Sequence, residues 1–292
     1  MARLAVPMNA NEAILVLSDE YGRMAETYDR LVVPRFERIA EAVIELVAPR
    51  PNELVLDVAT GTGLLARLLA PLVRPQTVVA IDLTDPVLAV ASYRAGGEGI
   101  HNIRFEIMDA RNIVYRGGIF DAVASNLGMP TLGYDRTFAE ARRVLKPEGR
   151  FVFSEWDARL PDGEAVFARL VEAHRTKTPS DGLAQVREAL RVSRTDPDAE
   201  ALRTPDRVRG RLLDAGFSSV RVVSKSFPAS FATAGDLVAF LAAWGWDERE
   251  LAEMPPASRA AFDADFAAWS RDLTTAEGLV EVFPIHLYVA RP

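Results

Sequence analysis

Between residues 33 and 156 the apolar positions switch repeatedly between two periods. Short apolar or alternating runs at 54–58, 78–81, 103–107, 120–125 and 151–156 have the length and residue types of strands. Between them Phe36, Ile39, Ala40, Val43, Ile44 and Val47 recur at helical spacing, and 64–72, 85–94 and 134–145 also carry helical patterning. Asp85-Pro86 is expected to open the third of these helices as cap and first position, with Ala95-Gly96-Gly97 closing it. Lys146-Pro147-Glu148-Gly149 is expected to be a turn. Strands alternating with helices predict an α/β protein built on a parallel sheet. The alternation stops after 156, where 164–174 and 182–192 are helical with no strand between them. A helix over 204–213, a strand over 219–226, helices over 234–246 and 256–273 and a strand over 280–290 follow. Near the start, 12–17 is a short helix candidate and 21–32 contains Tyr28-Asp29.

Residues 54–63, Leu-Val-Leu-Asp-Val-Ala-Thr-Gly-Thr-Gly, join the first strand to its helix through a turn of small residues. Glycine there tolerates positive φ and lets a ligand approach the backbone. The helix N-terminus behind it offers unpaired N–H groups. Gly61-Thr62-Gly63-Leu64-Leu65-Ala66 fits the loose dinucleotide pattern, and Asp82 ends the second strand 19 residues after Gly63. A carboxylate at that point accepts both hydroxyls of a ribose. The pattern alone fits NAD and S-adenosylmethionine equally. Asp57, at the strand end beside the turn, suits an ammonium-bearing ligand better than a pyrophosphate.

Asp57-Val-Ala-Thr-Gly-Thr-Gly63 resembles motif I of the class I S-adenosylmethionine-dependent methyltransferases. Ala59, where many of them have glycine, is similar to the ubiquinone/menaquinone biosynthesis C-methyltransferase group. The resemblance covers 21–156 closely and 204–292 in outline, with Glu148 standing where the family's L-K-P-G-G turn has its first glycine. It implies a Rossmann-like seven-stranded sheet with the last strand antiparallel, helical cap insertions, and S-adenosyl-L-methionine as cofactor. By that resemblance Asp57, Ala59, Thr60, Gly61 and Gly63 bind its methionine end, Asp82 and Leu83 the ribose, and Asp109 and Ala110 the adenine. Ser125 and Asn126 lie where the family floors the transfer site, and Tyr28, with Tyr21 in reserve, closes over the cofactor. The expected organisation is N-terminal helices and cofactor-binding core over 1–156, a helical cap over 157–203, and the rest of the sheet with substrate-cap helices over 204–292.

Composition narrows the chemistry. The net charge of −7 argues against a nucleic-acid surface, and the absence of cysteine excludes disulfides, thiolate nucleophiles and cysteine-held metals. No apolar run approaches a membrane span and the first residues have no signal-peptide character, so a cytoplasmic protein with no membrane insertion is expected. No metal site is expected. A homodimer is left open.

A base is needed only if the acceptor is not already acidic. Of the three histidines, His174 in the cap is the one selected as catalytic base, by its ionisation range. Phe240, Trp244, Trp246, Phe262, Phe266 and Trp269 are expected to divide between core and an apolar acceptor pocket. The expected activity is methylation of a carbon, oxygen or nitrogen of a small, partly hydrophobic metabolite. Two alternatives stand beside it: a methyltransferase-like fold that binds the cofactor without transfer, and an NAD-dependent oxidoreductase. The second lacks any Tyr-x-x-x-Lys pair.

Overall fold

A computed structural model of the chain describes residues 8–129, 132–159, 161–196, 204–276 and 278–292. Its strands are β1 (Val55–Val58), β2 (Val78–Asp82), β3 (Ile103–Ile107), β4 (Phe120–Asn126), β5 (Leu145–Trp156), β6 (Ser219–Phe231) and β7 (Leu279–Arg291). They form one sheet in the order β3-β2-β1-β4-β5-β7-β6. The first five are parallel, and β7 enters antiparallel between β5 and β6. This is the Rossmann-like architecture implied by the motif resemblance.

The sheet is covered on both faces, which is why β1 is buried at all four positions and reads as a nearly unbroken apolar run. Val55, Val78, Ala80, Ala122 and Val152 face one core. That core is shared with α3 (Val33–Val47), α4 (Leu64–Leu69), α7 (Asp162–His174), α10 (Ala234–Gly245) and α12 (Pro256–Ser270). Leu56, Val58, Val79, Ile81 and Phe153 face the other core, shared with α6 (Tyr134–Val144) and α9 (Pro205–Asp214). Ile39 and Val43 on the apolar stripe of α3 are fully buried. Each contributes roughly 2 kcal/mol of hydrophobic stabilisation.

Several boundaries differ from those expected. Helix α1 runs Ala10–Arg23, longer than the expected 12–17, because Asn9 and Glu12 form a reciprocal capping box at its start. Helix α5 (Asp85–Gly97) is preceded by Thr84, so Asp85 lies in the first turn and Gly96 and Gly97 in the last. The 146–149 turn is absorbed into β5, where pairing jumps from Phe120↔Leu145 to Ala122↔Arg150. Strand β6 continues to Phe231, paired with β7 from Ser219↔Arg291 to Phe231↔Leu279.

The N-terminal helices are tied to the body by charge as well as by packing. Ala13 and Leu17 of α1 pack with Ala189 of α8 (Asp181–Thr195). Glu20, buried on α1, accepts from Arg23 at 2.6 Å and from Arg249 of α11 (Glu248–Ala252) at 2.7 Å. Asp29 of α2 (Ala25–Leu31) pairs with Arg94 of α5. No helix among the described residues is long and apolar enough to cross a membrane.

Candidate active site

At the carboxyl end of β1 the Asp57 carboxylate is fully buried. The Thr60 hydroxyl donates to its Oδ2 at 2.6 Å, while Oδ1 has no hydrogen-bond partner. Burial, reinforced by nearby Asp82, pushes the Asp57 carboxyl up to about 7 against the Thr60 and Ala66 hydrogen bonds. The chain then turns through Ala59 at φ 52°, Gly61 at φ 56° and Gly63 at φ 82°. Gly61 lies on a cavity, and a Cβ there would stand 2.8 Å from the Tyr21 hydroxyl. A Cβ on Gly63 would instead meet the Ala91 side chain of α5 at 2.9 Å.

Asp82 ends β2 and accepts from the Gly61 N–H at 2.9 Å and the Thr84 N–H at 3.1 Å, which locks the two strand-end turns together. Burial raises its carboxyl above the usual range despite these bonds. Asp109, after β3, accepts from the Arg111 guanidinium at 2.7 Å. Burial opposes its charge, but the Arg111 hydrogen bonds outweigh it and hold the carboxyl below its ordinary value. Asn126 ends β4, and its Oδ1 accepts from the Ser154 hydroxyl at 2.9 Å.

These groups line one cavity of about 360 Å³ at the carboxyl edge of the sheet. Of the residues singled out from the sequence, Tyr28, Asp57, Ala59, Thr60, Gly61, Asp82, Leu83, Asp109, Ala110 and Asn126 are on its wall, together with Tyr21. Tyr21 and Tyr28 meet edge to face at 5.0 Å, and burial drives both hydroxyls up, that of Tyr28 to about 12. Gly63 and Ser125 are not among the wall residues; they seat the turn and the end of β4.

His174 is not brought to the cavity. It sits in the last turn of α7 facing α12, with Nε2 2.9 Å from the Asp265 carboxylate and its ring against Phe262. No described residue of 157–203 lines the cavity; α8 instead packs behind α1. His286 is buried on β7 between Ser224 and Asp157. Among the described residues no cluster of three or more His, Asp or Glu is placed to hold a metal.

The rest of the wall includes Trp244 and Trp246, two of the aromatics expected to divide between core and acceptor pocket, and residues such as Phe36, Trp156, Glu155 and Tyr134 that the sequence did not single out. Phe36, Trp156 and Trp244 form an aromatic corner, with ring centroids 4.7 Å apart for Trp156–Trp244 and 5.4 Å for Phe36–Trp156. Glu155 and Tyr134 lie beside it, the Tyr134 hydroxyl donating to Glu155 Oε2 at 3.1 Å. One signal was available: Asp57, Asp82 and Asp109 lie at or just beyond the carboxyl ends of parallel strands, and Glu155 occupies the same place on β5. Three wall residues, Ala59, Leu127 and Trp246, hold positive φ without being glycine. Each such residue stores of order 1 kcal/mol, and such strain concentrates at functional sites.

The orphaned, buried Asp57 Oδ1 fits an ammonium group, and the turn beside it admits a ligand to the backbone. The family described as Methyltransferase domain matches residues 55–149. The demethylmenaquinone methyltransferase of Thermus thermophilus is 31% identical over 195 residues, covering 66% of this chain and 86% of that protein. The chain therefore belongs to the class I S-adenosylmethionine-dependent methyltransferases, an enzyme family whose cofactor is S-adenosylmethionine. Within it the chain resembles the ubiquinone/menaquinone C-methyltransferase group: the member from Brucella abortus is 31% identical over 170 residues, 55% of this chain and 63% of that protein. Nocamycin O-methyltransferase of Saccharothrix syringae is 32% identical over 133 residues, 44% of this chain and 47% of that protein. In fold, the YcgJ protein of Bacillus subtilis superposes with a TM-score of 0.56 at 16% identity, covering 86% of this chain and 97% of that one.

Proposed function

We propose that this enzyme methylates a small, partly hydrophobic acceptor bound between the β4–β5 end of the sheet and the N-terminal helices. The observation that carries the reading is the buried Asp57 Oδ1 beside the Gly61 turn, within one cavity that also contains an aromatic corner. Asp57, Thr60 and Gly61 take the methionine end of the cofactor, Asp82 with Leu83 the ribose, and Asp109 with Ala110 the adenine. Ala59 and Asn126 complete that wall, Tyr28 and Tyr21 cover it, and Gly63 and Ser125 support it from behind. When bound, the cofactor supplies a methyl group on a sulfonium; the protein orients the acceptor and excludes water. Phe36, Trp156 and Trp244 give the acceptor an apolar surface, as small-molecule sites commonly do.

Calorimetry with S-adenosylmethionine, S-adenosylhomocysteine and NAD tests the cofactor half, and methyl-labelled cofactor offered with a panel of small aromatic acceptors tests the other. Binding of the first two ligands and labelling of an aromatic acceptor are expected. Binding of NAD alone, or labelling confined to macromolecules, would overturn the reading. Asp82→Ala is expected to weaken S-adenosylhomocysteine binding about 100-fold, since hydrogen bonds to a charged acceptor contribute roughly 1.5–3 kcal/mol each. An unchanged Kd in that variant would remove the ribose assignment.

A further inference from the structure

We propose that Glu155 is the catalytic base of this enzyme, receiving the proton of an uncharged acceptor that presents a hydroxyl of phenol-like acidity. The proposal rests on the methyl-transfer reading above and assigns a role to a residue outside the cofactor wall.

Topology separates Glu155 from the cofactor's acids. Asp109, Asp82 and Asp57 lie at or just beyond the carboxyl ends of β3, β2 and β1, in the order in which those strands lie side by side. Glu155 is near the end of β5, two strands beyond β1 on the opposite side. At about 4.8 Å per strand, roughly 10 Å separate it from Asp57 along the sheet edge. A ligand lying over β1–β3 leaves Glu155 to whatever occupies the other end of the cavity.

The carboxylate is held in one orientation. Tyr134 donates to Oε2 at 3.1 Å and the Trp156 N–H to Oε1 at 2.9 Å, and both neighbours are themselves on the wall. Glu155 is only 8% exposed, so its interaction with a bound group is little screened. Among the described residues, the ionisable groups around it include Tyr134 from α6, His286 and Tyr288 from β7, and Asp157 just beyond its own strand. Burial keeps Tyr288 neutral, and Asp157 faces His286 at 3.1 Å.

Charge and shape select the acceptor. The charged groups on the described wall are Asp57, Asp82, Asp109, Glu155 and Arg111, and Arg111 is engaged by Asp109. A carboxylate- or phosphate-bearing acceptor would meet repulsion there. The aromatic corner offers its faces to a ring. An uncharged phenol is a nucleophile a carboxylate can assist: its hydroxyl has an ordinary pKa near 10 and acidifies as the oxygen is methylated, whereas an alkyl hydroxyl lies far beyond reach. In the step, the acceptor O–H bond breaks and its proton passes to the Glu155 carboxylate. The oxygen lone pair forms the new O–CH3 bond, and the electron pair of the broken S–CH3 bond stays on sulfur. The products are a neutral ether, S-adenosylhomocysteine and protonated Glu155, which returns its proton to water.

The test uses 4-nitrophenol, coloured only as the phenolate, bound to the full chain saturated with S-adenosylhomocysteine. In the wild type the probe is expected to stay protonated beside Glu155, moving its colour transition up by about one pH unit from that of the free dye. Glu155→Gln, whose amide donates to a phenolate, is expected to bring the transition below that of the free dye, with S-adenosylhomocysteine affinity unchanged within about twofold. Tyr134→Phe keeps the carboxylate but frees its orientation and is expected to halve the upward shift; it carries the test if the Gln variant does not fold. The same transition in wild type and Glu155→Gln would reduce Glu155 to a structural role and overturn the proposal. Tighter binding of phenethylammonium than of 4-nitrophenol would make Glu155 a counter-ion for a cation and overturn it too. Failure of the wild type to bind S-adenosylhomocysteine would instead strike the methyl-transfer reading, and the proposal with it.

Discussion

Asp57→Asn is expected to make the cofactor-free protein more stable above neutral pH while removing its affinity for S-adenosylmethionine. In the folded chain the Asp57 carboxyl titrates near 7, raised from 3.8 chiefly by burial and also by nearby Asp82. The folded state therefore holds this proton more tightly than the unfolded state does. Below the ordinary carboxyl range the group is protonated in both states and favours neither. As pH rises from about 4 to 7 the unfolded chain loses the proton first and stability falls; above 7 the whole penalty remains. At 1.36 kcal/mol per unit it amounts to roughly 4 kcal/mol as an upper bound. Asparagine carries no charge and escapes that cost, so the variant should melt several degrees higher at alkaline pH and show no advantage in acid. On the proposed assignment cofactor binding reverses the balance, because an ammonium beside Oδ1 favours the ionised carboxylate. Wild-type affinity should accordingly rise with pH up to about 7, with proton release on binding below it. Thermal melts across pH, with and without S-adenosylhomocysteine, check both halves. A variant that binds as well as the wild type, or gains nothing at alkaline pH, contradicts the assignment.

Gly128→Ala is expected to damage stability and binding together. A Cβ at Gly128 would lie 2.5 Å from the Ala59 carbonyl oxygen and 3.0 Å from the Ala59 side chain. The clash falls between two turns that have little freedom to yield, since Ala59 and Leu127 already hold positive φ. Overpacking of this kind costs about 1–3 kcal/mol. Moving Ala59 also displaces Thr60 and Gly61, so Kd for S-adenosylhomocysteine should rise more than tenfold. Gly210 is the control: it lies inside α9 with nothing near its added Cβ. Gly210→Ala should raise stability by about 0.5–1 kcal/mol through helix propensity alone. Melting curves and calorimetry on the pair separate local crowding from a general intolerance of substitution.

The parts of the molecule legible in the sequence are those dictated by local chemistry. A parallel strand buried on both faces is largely apolar, so 54–58 and 78–81 announced themselves, and the acids at their ends marked the edge of the sheet where the cavity lies. The end of β6 was not legible, because Lys225, Ser226 and Pro228 interrupt the alternation and their strand state depends on pairing with β7. Trp244 was legible as a pocket candidate, but its partners in the aromatic corner were hidden for a similar reason. Phe36, Trp156 and Trp244 come from a helix, a strand end and a distant helix, and no local period links them. His174 shows the opposite error: its ionisation range suits catalysis, but nothing within α7 says that its last turn faces Asp265 rather than the cavity. No motif around Glu155 distinguishes it in the sequence from an acid that marks where a strand meets solvent.

The ladder between β6 and β7 closes at the pair Phe231↔Leu279. The described residues between 232 and 278 therefore leave and re-enter the sheet at adjacent points, as a cassette with its two ends side by side. That cassette brings Trp244 and Trp246 to the cavity, while Asp57, Asp82 and Asp109 all lie outside it. Recombination at the two hinge positions would exchange Trp244 and Trp246 in a single event and leave Asp57, Asp82 and Asp109 in place. Within such a lineage, one side of the cavity can diverge while the acids at the strand ends are inherited unchanged.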